Sequence, residues 1–299
     1  MAAGLALPFT PAAPAAELPA VAAHQAQPAP SSAADAYPVK RRIRYAFTLQ
    51  NPAAHELRQT TFSAYAPVRL TSTQRVDAVT ASHPAQIQVD ATGNQVLRFQ
   101  LDSFPPFGAK VVSVEVELSL TDTPVAAAAP EGWLRMFTRA ERFVESDDPR
   151  IQSLARSLRG DNPLATARNI HDWVRQNLRA LVYTPEDRGA LEALAHRAGD
   201  CTEYAYLFTA LARASGIPAR TVGGFVLSDS GVLNPHDYHN WAEFHVDGAW
   251  HPADPHRGVF ARKASQYLAM RVISSTLPNQ LGASQRYSVV GQGLRVTMN

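Results

Sequence analysis

Only one cysteine, Cys201, occurs in the 299 residues of this chain. It cannot close an internal disulfide, so it serves either packing or chemistry. No apolar run approaches the roughly 18 residues of a membrane-spanning helix, so no membrane span is expected. Basic residues cluster only at Lys40-Arg41-Arg42 and Arg44, and the net charge is +2. That is too little concentrated positive charge for a nucleic-acid surface, and a solvated strand start explains it. Paired cysteines and the HExxH spacing are also missing. His236, His239, His245, His251 and His256 therefore do not read as a metal site, and no cofactor is expected.

What is present divides by composition. Residues 1–37 are almost all Ala, Pro and small polar residues, which cannot build a core and read as disordered. Within them MAAGLALPFTPAAPAAE is similar to the back half of a secretory signal, without its positive start. The expectation is a periplasmic or secreted protein, with the cytoplasm as the alternative. From 38 to 123 the chain alternates with period two. Ile43, Tyr45, Phe47 and Leu49 form one such row, Val112, Val114, Val116, Leu118 and Leu120 another, and Gly93-Asn94 separates two further runs. This predicts an antiparallel β-sandwich.

Residues 124–130 (PVAAAAP) read as a linker, followed by an α+β domain over 131–299. Ile151, Leu154 and Leu158 step by three and four, and Gly160 stops that helix. Asn162-Pro163 opens another through Ile170, Trp173, Val174 and Leu178. Arg220 to Val226 reads as a strand. Ser228-Asp229-Ser230-Gly231 reads as a mobile loop able to overhang a cleft. Tyr267 to Ile273 and Arg286 to Met298 read as extended segments closing the domain.

Cys201 opens an amphipathic helix marked by Tyr204, Phe208, Leu211 and Ser215 and stopped by Gly216. At a helix start, free N–H groups and the macrodipole favour an anion such as a thiolate. Downstream, Asp247-Gly248 is a two-residue hairpin turn. A two-residue loop sets Val246 opposite Ala249 and Trp241 opposite Asp254. His239 shares a face with Trp241, so His239 and Asp254 are diagonal neighbours, about 7–8 Å apart at the backbone. An imidazole and a carboxylate at that spacing can share a hydrogen bond, the base and orienter a sulfur nucleophile requires. The reading is Cys201 as nucleophile, His239 as base and acid, and Asp254 fixing the histidine tautomer. Glu243 shares the His239 face and reads equally as a site residue or a structural ion pair. Trp241 reads as core packing beside the site and Trp250 as structural.

GDCTE with its Ala-rich helix and GIPAR, then HNWAEF, then Trp250-x-x-x-Asp254 together resemble the transglutaminase-like core family, over about 167–255. The resemblance implies a papain-like α+β core after the sandwich, with Cys201, His239 and Asp254 as the catalytic triad. It also implies that Trp241 shapes the site. Because the family spans cross-linking enzymes, peptidases, amidases and inactive members, it implies acyl chemistry without naming a substrate.

The expected activity is a thiol-dependent acyl enzyme acting on peptide or carboxamide bonds through an S-acyl intermediate. Its partners would be a protein or peptide substrate and, for amine transfer, a primary-amine acceptor. Hydrolysis is preferred over transamidation. The Cys201 N–H is the obvious oxyanion donor, with Tyr183 a weaker candidate. The alternatives are a non-catalytic binding or scaffold protein keeping this fold, and an arylamine-type acyltransferase, which HNWAEF fits less well.

Overall fold

A computed structural model describes residues 36–277, 281, 286–291 and 293–299. The disordered, signal-like reading of residues 1–37 lies outside this set except at its end. There Tyr37 belongs to the folded body: it is buried and donates its hydroxyl to the Thr71 carbonyl at 2.8 Å.

The fold is α+β. Six strands come first: β1 (Val39–Gln50), β2 (Leu57–Ala66), β3 (Gln74–Ala81), β4 (Gln86–Val89), β5 (Gln95–Phe104) and β6 (Ala109–Leu120). They form two antiparallel sheets, β3-β6-β1 and β4-β5-β2. The period-two rows of β1 and β6 turn Tyr45, Phe47, Val114 and Val116 inward, against Phe62 and Phe99 of the facing sheet. The Phe47 and Phe62 rings meet edge-on at 5.1 Å. The outward residues carry the basic cluster, which is paired with acids: Lys40 with Asp77, and Arg42 with Glu115 and Glu117.

Next come α1 (Glu131–Met136), α2 (Pro149–Ser157), α3 (Pro163–Asn177), β7 (Arg179–Ala180), α4 (Ala190–His196), β8 (Ala198–Gly199) and α5 (Cys201–Ala214). Asn162 caps α3 by accepting from the Ala165 N–H, as the Asn-Pro signal predicts. The strands β9 (Ala219–Val226), β11 (Tyr238–Val246), β12 (Ala249–Asp254), β13 (Val259–Phe260) and β14 (Tyr267–Ile273) form the sheet β13-β12-β11-β9-β14. α5 packs on it with Phe208 against Phe244, ring centroids 6.1 Å apart. α5 is not amphipathic as expected, because all its residues from Thr202 to Arg213 are buried. Its polar members are paired inside: Arg213 binds Glu141 at 2.9 Å and the Ala219 carbonyl at 2.8 Å. Paired charges can occupy a core where lone ones cannot.

Two segments sit elsewhere than the sequence suggests. The loop at Ser228–Gly231 does not line the cleft beside Cys201; it is fastened to the sandwich. Arg41 donates to the Ser228 carbonyl, the Arg42 N–H to Ser230 Oγ, and β10 (Gly231–Val232) pairs in parallel with β1. The C-terminal segment supplies β15 (Tyr287–Val290) to β2 and β16 (Arg295–Met298) to β1, extending the sandwich sheets. Open strand edges with matching backbone donors and acceptors capture such segments regardless of sequence distance. The connection at 124–130 is also pinned, by Val125 N–H to the Ser72 carbonyl and Ala127 N–H to the Gly248 carbonyl. Among the described residues no helix is long and apolar enough to cross a membrane.

Candidate active site

Cys201 is the first residue of α5, partly exposed. Asp200 caps the helix by accepting from the Thr202 N–H at 2.8 Å, and Glu203 returns the bond to the Asp200 N–H at 3.0 Å. This capping box fixes the chain direction at the sulfur. The Cys201 N–H, in the first helical position, has no acceptor within the helix. Asp200 also accepts from the Thr184 N–H at 3.0 Å, and Glu203 pairs with Arg188 at 3.1 Å. Both contacts tie the segment around Tyr183 to the start of α5.

The hairpin adopts the register expected from its turn, with Val246 opposite Ala249 and Ala242 opposite Ala253. The diagonal closes: His239 Nε2 lies 2.7 Å from Asp254 Oδ2, leaving Nδ1 as the other ring nitrogen. The Cys201 sulfur is near enough to the His239 ring for its charge to act on the imidazole. What docks the ribbon on the helix is Asn240, whose Nδ2 donates to Thr202 Oγ1 at 2.9 Å. On β9 the cross-strand partners of His239 and Asn240 are Gly224 and Gly223. The side chains of Tyr238 and Asn240 close over Gly223 where a Cβ would stand.

Burial disfavours a charged His239, but its hydrogen bond to Asp254 and the negative charge of Asp254 and Cys201 outweigh this, holding its pKa up at about 9. Burial likewise opposes the Asp254 carboxylate. The bond from His239, the Arg257 N–H at 3.0 Å and the Tyr267 hydroxyl at 2.9 Å prevail and keep it below the usual range. Trp241 is buried against both groups, its ring roughly parallel to His239 at 6.5 Å and edge-on to Tyr267 at 5.1 Å. His256 lies 5.7 Å from the His239 ring, and burial together with the His239 charge lowers its pKa.

Cys201 opens onto a cleft of about 430 Å³ between the Tyr183 segment, β11 and β14. Tyr183 lines it, largely exposed, and burial of its ring raises its pKa while Arg286 opposes the rise. Glu243 is not in this site. It binds Arg220 at 2.7 Å, and Arg220 stacks on Trp250 at 4.2 Å, two residues further along β11 from Trp241. A larger hollow of about 830 Å³ lies around the hairpin turn Asp247-Gly248 and Gly216. It sits at the far end of α5, about 20 Å along the helix from Cys201. Among the described residues no three His, Cys, Asp or Glu side chains converge as metal ligands.

Sequence reasoning missed Tyr267, Asn240, Arg257 and the pair Gly223-Gly224. Tyr267 arrives on β14, two strands away from β11, and nothing local marks it. Gly-Gly inside a strand was a legible sign of close approach.

The stretch that carries Cys201, His239 and Asp254 resembles known proteins. Residues 152–255 match the Transglutaminase-like superfamily. Cys201, His239 and Asp254 all fall within this transglutaminase-like core. A solved structure from Cytophaga hutchinsonii, provisionally described as a cysteine protease, superimposes with a TM-score of 0.58 at 18% identity. It covers 87% of this chain and 92% of its own. The periplasmic domain of TgpA from Pseudomonas aeruginosa is more distant, with a TM-score of 0.41 and 19% identity over 72% of this chain and 88% of its own. No curated protein sequence matches the chain.

Proposed function

We propose that the chain is a thiol-dependent acyl enzyme that hydrolyses peptide or carboxamide bonds through an S-acyl intermediate. The observation carrying this reading is the His239 ring braced on Asp254 at 2.7 Å, with the Cys201 sulfur beside that ring at the start of α5. With the His239 pKa at about 9, the ring holds its proton at neutral pH, and the sulfur beside it is the group positioned to bear the complementary negative charge.

Cys201 sulfur adds to the carbonyl carbon, and the developing oxyanion points to the free Cys201 N–H, with Tyr183 on the same cleft wall as a second candidate donor. His239 gives its proton to the leaving amine, the C–N bond breaks, and the thioester remains. Water then attacks as His239 accepts a proton, and the C–S bond breaks to free the acid and restore the pair. Asp254 keeps the ring oriented and balances its charge in both steps. Trp241 and His256 flank the imidazole with apolar and neutral surface, which limits water around the ion pair. A primary amine in place of water would give transamidation. A periplasmic or secreted setting belongs to the same proposal and rests on the leader composition alone.

The test is mass spectrometry of a glutamine-containing peptide library incubated with the wild-type chain and with Cys201→Ala, with and without a primary amine. Cleavage, deamidation and amine addition give different mass changes. Cleavage or deamidation that requires Cys201 is expected. Product patterns identical in the two proteins would remove the enzyme reading.

A further inference from the structure

We infer that the cleft beside Cys201 carries a carboxylate-reading subsite centred on Arg286, so that the acyl substrate bears a carboxylate next to the bond that reacts. The inference rests on the acyl-enzyme reading of Cys201 and adds its substrate class.

The cleft wall holds Arg286, Tyr238 and Arg271 besides the Tyr183 segment. The Arg286 guanidinium lies flat over the Tyr238 ring at 4.3 Å, and its Nη1 donates to the Pro235 carbonyl at 3.0 Å. Its main-chain carbonyl accepts from the Tyr65 N–H at 3.3 Å, so the residue is anchored at both ends. A guanidinium carries five N–H donors in a fixed fork. Here no carboxylate among the described residues forms an ion pair with it. The buried arginines elsewhere are answered differently: Arg213 by Glu141 and Arg220 by Glu243. Among the described residues the one acidic side chain lining the cleft, Asp187, accepts from the Tyr206 hydroxyl at 2.9 Å. Arg271, 3% exposed, adds a second positive charge to the same wall.

This stacked guanidinium is pre-organised, and its planar fork matches a carboxylate. Tyr183, Cys201 and Arg286 line the same cleft, which sets the cation and the sulfur around one cavity of about 430 Å³. An acyl substrate bound with its carbonyl at the sulfur therefore meets the guanidinium with an adjacent part of its chain. On a peptide the matching anion is a C-terminal carboxylate or an Asp or Glu side chain.

The experiment uses the full chain and three thiol alkylators: chloroacetyl-glycinamide, which is neutral, chloroacetyl-glycine, with a terminal carboxylate, and the α-amide of chloroacetyl-aspartate, with a side-chain carboxylate. In each the Cys201 sulfur displaces chloride, forming C–S and breaking C–Cl. Labelling rates at about pH 6.5, where all the reagent carboxylates are ionised, are compared in wild type, Arg286→Gln and Arg286→Lys. At least one acidic reagent should label wild type roughly fivefold faster than the amide, the scale of one solvent-facing ion pair. Arg286→Gln should remove most of that preference and Arg286→Lys should keep part of it, the preference being the ratio of each acidic rate to the glycinamide rate of the same variant, with circular dichroism as the check on folding. Whichever acidic reagent responds identifies the source of the carboxylate. Fast labelling indifferent to reagent charge, or a preference unchanged in Arg286→Gln, overturns the subsite and leaves the acyl-enzyme reading standing. Labelling by all three reagents no faster than of free glutathione overturns that reading and the subsite with it.

Discussion

Tyr267 donates its hydroxyl to Asp254 Oδ2, the same oxygen that receives His239 Nε2. One carboxylate oxygen thus sits between an imidazole from β11 and a phenol from β14, and the Tyr267 ring also stands edge-on to Trp241. The sheet braces the histidine from both sides.

Tyr267→Phe keeps the ring packing and removes one donor. It is expected to cost about 1 kcal/mol of stability and to leave the negative charge of Asp254 Oδ2 to His239 alone, so that the His239 pKa rises. The basic limb of the activity profile should move to higher pH while Cys201 stays reactive. An unchanged profile would mean that the hydroxyl only packs.

Asp254→Asn removes the charge that orients and balances the ring. Turnover should fall by roughly 10²–10⁴-fold, as loss of the orienting carboxylate does in related triads. Iodoacetamide labelling near pH 6, well below the pKa of about 8.5 of an ordinary thiol, should slow in parallel. Peptide mapping identifies the alkylated residue.

His239 titrates near 9 in the fold and near 6.5 in the unfolded chain. Its raised pKa contributes stability fully present below about pH 6.5 and lost as pH rises through about 9. The difference in unfolding free energy between wild type and His239→Gln should therefore shrink across that window, by on the order of 1–3 kcal/mol. Urea titrations at a series of pH values measure it. A difference that grows with pH contradicts the assigned ring charge.

Glu243→Ala leaves Arg220 charged and buried under Trp250. The loss should be about 3–5 kcal/mol, read as a lower melting temperature. Labelling of the remaining folded protein at Cys201 should match wild type, which separates this structural pair from the site.

Gly224 faces His239 across the strands, and the Leu268 carbonyl occupies the place of its missing Cβ. Gly224→Ala must push β14 away from β9. A loss of about 3 kcal/mol or more is expected, together with a weakened Tyr267–Asp254 contact. Circular dichroism melts should show the first effect and the pH profile the second.

Local signals carried much of this protein. The alternation from Val39 to Leu120 is visible residue by residue, because one face of each strand must be apolar. The Asp247-Gly248 turn set the register that joins His239 to Asp254, since side chains repeat every two residues from a fixed turn. The helix that starts at Cys201 was legible from the spacing of Tyr204, Phe208 and Leu211 and the stop at Gly216, while its capping box of Asp200 and Glu203 went unread. Contacts between distant segments were not legible. Asn240 docking on Thr202, Tyr267 reaching Asp254, Arg286 joining the cleft wall and the last strands completing the sandwich all depend on how separate sheets and helices pack. That packing is settled by whole buried surfaces and open strand edges, which leave no mark on any one stretch of chain.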